Sequence, residues 1–397
     1  MINKMSEKYK ENLKFIILIS GIILLSLIIR YPFLFYKTYD YHDYLEPWYR
    51  FIKNHGIFSA FQFEFSNYPP LYLHLLSPFT LTDLNPLLAV KLLSIIFDFI
   101  LAFSVYTIVY KINNDKSTAL VSLLVVCMLP TVLLNGSLWG QCDSIFSAFL
   151  IMVLLFLILE KETMSFIFLG IAFSLKLQTV FIFPLFFVLI ICKKISWKKI
   201  AYLPIIYHIT ILPSLLAGRS YSKLIMIYLE QSGKYKEISL NAPNWYQLIE
   251  EIGLSKEILY YAGLIITILV IILSFLVIFK KNINFWKGKN IILSALFFSV
   301  VIPFFLPRMH ERYFFLADIL AVSYAFIVPG KYLYPVLIVT GSLASYLPYL
   351  FGWSNLFVKF GAILMFISFI MIGYELIKLT RKPIINRDEQ KKSTFNS

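Results

Sequence analysis

Two carboxylates, Asp40 and Asp43, stand in the run Asp40-Tyr41-His42-Asp43-Tyr44-Leu45-Glu46-Pro47-Trp48, directly after a long apolar stretch. A carboxylate so placed can act as general base toward a hydroxyl, which grows acidic as its oxygen bonds to an electrophilic carbon. The same positions also suit a quieter role, capping the helix-like stretch from Tyr44 to Lys53 and complementing its dipole. Far downstream, Pro307-Arg308-Met309-His310-Glu311-Arg312-Tyr313 packs two guanidiniums, an imidazole and a carboxylate between apolar runs. A plain connector would need only two or three small polar residues. Arginine forks bind phosphate bidentately, and His310 can donate to the same oxygens. Such a cluster stabilises negative charge growing on a departing phosphate. The alternative there is an internal Glu311–Arg salt bridge tying helices together.

Other blocks carry weaker signals. In Trp139-Gly140-Gln141-Cys142-Asp143 the tryptophan can stack on a sugar ring, with Gln141 and Asp143 bonding to its hydroxyls. Asp143 can equally be a helix N-cap and Trp139 an interface anchor. Lys176 lies deep in an apolar stretch, where a charge costs roughly 2.5–3.5 kcal/mol and so needs a partner, a job, or a route to the interface. Asn67-Tyr68-Pro69-Pro70 fixes an extended entry into a helix or re-entrant segment, because proline cannot sit in a helix interior. Asn241-Ala242-Pro243-Asn244-Trp245 suits carbohydrate contact or a loop packed on the outer face. Asn135-Gly136-Ser137 matches a glycosylation sequon by chance.

The elements that must position these residues follow from composition. Of 397 residues, 59% are hydrophobic and 15% charged, with mean hydropathy +0.77. That leaves too little polar surface for a soluble domain. Apolar runs of about 17–25 residues recur from Phe15 onward. They predict an all-α polytopic membrane protein of about 11–13 helices, over 14–35, 87–110, 117–135, 144–159, 165–176, 178–192, 200–217, 258–279, 289–306, 313–328, 332–350 and 356–378. The segment 165–192 must go out and back, as two short helices meeting near Lys176-Leu177-Gln178 or as a re-entrant hairpin. The first span reads as an uncleaved anchor.

A net charge of +14 would suggest nucleic acid in a soluble chain, but here the positive-inside rule accounts for it and no nucleic-acid partner is expected. With the N-terminus cytoplasmic, 22 of the 36 Lys and Arg fall in short inner segments, including Lys4, Lys8, Lys10, Lys193, Lys194, Lys198, Lys199, Lys281 and the C-terminal tail. The large polar segments, 36–86, 139–143, 218–257 and 307–313, then all face outward. One integral membrane domain is expected over 1–397, with N-terminal helices 1–217 and C-terminal helices 218–397. Neither G-x-G-x-x-G nor G-x-x-x-x-G-K-[ST] occurs. An activated substrate used outside the cell would therefore arrive on a lipid. The cysteines Cys127, Cys142 and Cys192 lack metal-ligand spacing and read as apolar fillers.

With these blocks in hand, the chain resembles the GT-C glycosyltransferases, and more narrowly the bacterial relatives of the eukaryotic GPI mannosyltransferase II. The dolichyl-phosphate-glucose glucosyltransferases look like more distant cousins. The resemblance rests on Asp40 to Trp48 with Asn67-Tyr68-Pro69-Pro70, Trp139 to Asp143, Lys176-Leu177-Gln178, Asn241 to Asn244, and Arg308 to Tyr313, in the family's order. It implies inverting transfer of a hexose from a polyprenyl-phosphate sugar to a glycan or lipid-anchored acceptor outside the cytoplasm, with no metal or other cofactor. It also implies a catalytic Asp in the first outer loop, matched by Asp40 first and Asp43 second. Arg308, His310 and Arg312 would hold the donor phosphate, assisted by Lys176. Trp48, Trp139, Gln141, Asp143, Asn244 and Glu311 are the candidates for sugar and acceptor contact. Where the family commonly has Lys-Pro-Gln, this chain has Lys176-Leu177-Gln178.

The expectation is thus a hexosyltransferase of mannose or glucose type in the plasma membrane. A transporter or flippase of lipid-linked saccharides is the alternative of another class, disfavoured because no internal repeat is visible and the polar blocks gather at one face. A ligase or polymerase of lipid-linked glycans is the third reading.

Overall fold

The computed structural model describes residues 2–233, 236–249, 252–280, 285 and 287–379, with side chains described from residue 12 onward except at 232–233 and 280. Lys281 and the basic tail beyond residue 379, and the side chains of Lys4, Lys8 and Lys10, lie outside these.

The protein is an all-α polytopic membrane protein. Among the described residues, seven helices are long and apolar enough to cross a bilayer: Asn12–Phe35, Pro86–Asn113, Trp197–Leu216, Lys256–Phe279, Gly288–Phe305, Leu333–Phe351 and Leu356–Leu379. The bent pair Lys116–Met128 and Pro130–Trp139 makes an eighth, broken by 44° where Pro130 has no N–H to donate. The eleven spans at the low end of the expected count are reached only with the shorter apolar helices Asp143–Ile158, Glu162–Leu175 and Leu177–Ile191. Local signals set the ends. Asn85 accepts from the Leu87 N–H at 2.9 Å ahead of Pro86, and Asp115 accepts from the Ser117 and Thr118 N–H groups.

Gly288–Phe305 runs through the centre of the bundle, buried nearly all round. Asn12–Phe35 is the opposite, with Ile16, Ile17, Leu18 and Leu24 exposed on a face that only lipid can cover. Its polar ties include an ion pair. Arg30, fully buried, donates to Asp98 at 2.6 Å, to Ser137 at 2.8 Å and to the Cys127 carbonyl at 3.2 Å. The turn at 136 must therefore be glycine: a Cβ on Gly136 would lie 2.5 Å from Asp98 Oδ2.

The bundle has two chemically different ends. At one, the Lys-rich connections are short and tied to neighbours: Asn113 donates to the Phe326 carbonyl, Lys199 to Thr163, and Lys331 pairs with Glu375 at 2.8 Å. At the other, segments 36–85, 139–143, 217–255 and 306–314 converge. Lys176 is the corner between Glu162–Leu175 and the 3-10 turn Leu177–Ile182, in extended conformation (φ −150°, ψ 141°), which is the two-short-helix arrangement. Two features were not anticipated. The long loop 218–257 contains a helix, Tyr221–Gly233, and a two-residue parallel strand pair joins Ser239–Leu240 to Met309–His310.

Candidate active site

The first helix and the 3-10 turn Tyr31–Phe35 deliver the chain to Asp40, where a π-helical turn, Tyr41–Leu45, begins. Such turns are rare and concentrate at functional sites. The Asp40 side chain caps neither this turn nor the helix Glu46–His55, so the capping role is not taken. Its Oδ2 accepts from Trp139 Nε1 at 2.9 Å and from Gln141 Nε2 at 2.6 Å. Its Oδ1 accepts from the Tyr349 hydroxyl at 2.9 Å, and Arg312 Nη1 lies 3.6 Å from Oδ2. Trp139 and Gln141 reach one carboxylate because a second π-helical turn, Leu133–Trp139, ends at Gly140 with φ +77°, a conformation any side chain would strain. Asp43 sits one turn on, exposed, and makes no side-chain hydrogen bond among the described residues.

Arg312 is the hub. Besides Asp40, it lies 3.5 Å from Asp143 Oδ2 and 3.6 Å from Glu311 Oε1, with its guanidinium 5.5 Å from the Trp139 ring centroid. The Glu311–Arg contact thus stays within one loop rather than tying helices together. Glu311 is buried, and that burial pushes its carboxyl up to about 7 against the opposing pull of Arg312. Asp143 is buried and accepts from Lys176 Nζ at 2.5 Å and from Asn135 Nδ2 at 2.8 Å. Lys176 therefore has a carboxylate partner. His310 is set by the strand pair, and the Arg308 N–H donates to the Ile238 carbonyl at 2.6 Å. Arg308 adopts φ +63°, a strained conformation for a residue with a Cβ, and its guanidinium lies 4.7 Å from the Tyr260 ring centroid.

Two chambers meet at these residues. One, about 550 Å³, is lined by Asp40, Asp43, Trp48, Gln141, Asn241, Glu311 and Tyr349. The other, about 370 Å³, has Lys176, Gln178, Arg308 and Arg312 on one part of its wall and Leu175, Val180, Phe181, Leu264 and Leu306 on the rest. Asn67, Tyr68, His310 and Arg312 line both. The first chamber holds the Asp40 carboxylate. The second joins cations to an apolar groove.

Not every expected residue takes the expected place. Trp139 is buried, stacked on Tyr349 at 4.7 Å and edge-on to Tyr346, so no sugar can reach its ring; it holds Asp40 instead. Asp143 lines no described chamber and serves Lys176 and Arg312. Asn244 is fully buried and accepts from Ser239 at 3.2 Å, whereas Asn241 of the same block lines the Asp40 chamber. Asn135, set aside with its sequon, is buried and supports Asp143. Tyr349 was missed; it lies in an apolar helix 309 residues from Asp40, and no local pattern marks it.

The family model for glycosyltransferase family 87 matches residues 65–303. No curated protein matches the chain. The matched stretch is more than half the sequence and includes Asn67, Gln141, Asp143 and Lys176, while Asp40 and Arg312 flank it on either side.

Proposed function

The chain belongs to glycosyltransferase family 87, and from that premise we propose that it moves a hexose from a polyprenyl-phosphate sugar to an acceptor hydroxyl at the outer face of the plasma membrane. The observation that carries this reading is the pair of chambers sharing Arg312 and His310, with Asp40 in one and a cationic, apolar-walled groove as the other. An acceptor in the Asp40 chamber gives its proton to Asp40 as its oxygen bonds to the anomeric carbon. The bond from that carbon to the phosphate oxygen breaks on the opposite face, so the configuration inverts. The electron pair leaves with the polyprenyl phosphate toward Arg308, His310 and Arg312, with Lys176 alongside as half of its pair with Asp143. The resemblance of the sequence blocks to those of bacterial relatives of GPI mannosyltransferase II supports a lipid-linked donor of mannose or glucose type, and the Lys-rich connections at the far end of the bundle support a cytoplasmic N-terminus.

Purified protein supplied with polyprenyl-phosphate mannose or glucose tests this. Asp40→Asn should lower turnover by roughly 10²–10⁴-fold, the range of general-base catalysis, while donor binding persists. Asp43→Asn should keep most of its activity. Wild-type turnover in both variants would overturn the mechanism. Lipid-linked sugar crossing proteoliposomes without a new glycosidic bond would favour a transporter.

A further inference from the structure

A third cavity, about 890 Å³, opens beside the Asp40 chamber and shares Asp43, Tyr44, Trp48 and Asn67 with it. In its wall is Arg219, at the end of the helix Tyr202–Leu216, its backbone N–H bonded to the Ser214 carbonyl at 3.0 Å after Gly218 at φ +105°. Arg219 is only 5% exposed, yet its Nε and Nη1 have no acceptor among the described residues. Buried guanidinium N–H groups without acceptors are costly, and the charges of Glu64 and Glu230 offset that cost without supplying the missing hydrogen bonds. Asn67 Oδ1, at the junction of all three cavities, is likewise buried without a partner. The other charged groups of the wall are Asp43, Glu64 and Glu230, beside the neutral Tyr44, Ser66 and Gln231, and both glutamates lie within 3.6 Å of Lys223.

Three carboxylates beside one arginine disfavour an anion. Open donors and acceptors interleaved with the rings of Trp48, Phe51 and Phe65 fit a neutral polyhydroxylated ligand, and the volume lies within the roughly 300–1,000 Å³ of small-ligand sites. We propose that this cavity is a subsite for the glycan of the acceptor, so that the preferred acceptor is a neutral oligosaccharide extending from Asp40 to Arg219. The inference rests on the glycosyl-transfer reading of the adjoining chamber. It adds a length requirement which that reading does not contain.

The test is calorimetric binding of neutral mono- and tetrasaccharides of mannose, glucose and galactose to the full-length protein in detergent, separate from any turnover assay. At least one tetrasaccharide should bind about tenfold or more tightly than its monosaccharide. Arg219→Gln should abolish that preference, and Glu230→Ala, at an exposed position that leaves folding intact, should weaken it several-fold. Asp40→Asn should keep it. No length preference in any of the three series, survival of the preference in Arg219→Gln, or displacement of the tetrasaccharide by inorganic phosphate would each overturn the subsite. If Asp40→Asn retains turnover while the length preference holds, the catalytic assignment fails and the subsite stands.

Discussion

Asp40 receives hydrogen bonds from three neutral side chains and faces one guanidinium, so its direction is set by residues from three separate segments. Trp139→Phe and Tyr349→Phe each remove one donor and keep the ring. Each variant should therefore loosen the orientation of the carboxylate and lower kcat by roughly ten- to a hundredfold, with KM for the donor unchanged. An unchanged kcat in both would mean that the contacts do not position the base. Glu311 offers a pH signature. Its carboxyl is raised by burial to about 7, so the folded protein binds its proton more tightly than the unfolded chain does. The associated stability is fully present below the unfolded value of 4.5 and is lost as pH rises to about 7. Melting temperatures across that window should fall less in Glu311→Gln than in the native protein.

Among the elements, the two short helices Glu162–Leu175 and Leu177–Ile191 meet at a lysine, and the corner is held by Asp143 from the helix before them. A charge left alone in that setting is expensive. Lys176→Met should destabilise the protein by about 3–5 kcal/mol, and Lys176→Met with Asp143→Leu should recover much of the loss, because burying two apolar groups costs less than orphaning one charge. Unfolding in mixed micelles measures both. The turn Leu133–Trp139 serves two masters, since Gly136 abuts Asp98 and Asn135 holds Asp143. Gly136→Ala would push a methyl into the Arg30–Asp98 pair, and the same measurement should show a loss of a few kcal/mol, within about 3–5 kcal/mol for a broken buried pair.

At the scale of the whole molecule, polar blocks gather at one end of the bundle and Lys-rich turns at the other. The free, exposed Cys192 lies at the Lys-rich end and is a natural reporter of orientation. With the proposed orientation, a membrane-impermeant maleimide should label Cys192 only after permeabilisation. A cysteine introduced at the exposed Glu237 should react in intact cells. The reverse pattern would place the Asp40 chamber in the cytoplasm.

The apolar runs alone determined the all-α, membrane-spanning class, because crossing a bilayer demands about 20 consecutive apolar residues and that demand is written locally in the chain; which of the shorter runs cross was not so written. Asp40 and the 308–312 cluster were legible for a similar reason: charges concentrated at the ends of apolar helices are costly unless something uses them. Which carboxylate is held, by whom, and against what was not local. Trp139 and Asn244 looked like sugar contacts from their neighbours' composition, yet burial assigns them to support. Lys176 and Asp143 were both visible, but their pairing depends on how two helices pack. Tyr349 and Arg219 carried no mark at all. Hydrophobic segregation is a sum over neighbours in sequence, and the sequence decides it; a hydrogen bond depends on positions within a few tenths of an ångström, and only the packed bundle brings residues hundreds apart to that distance.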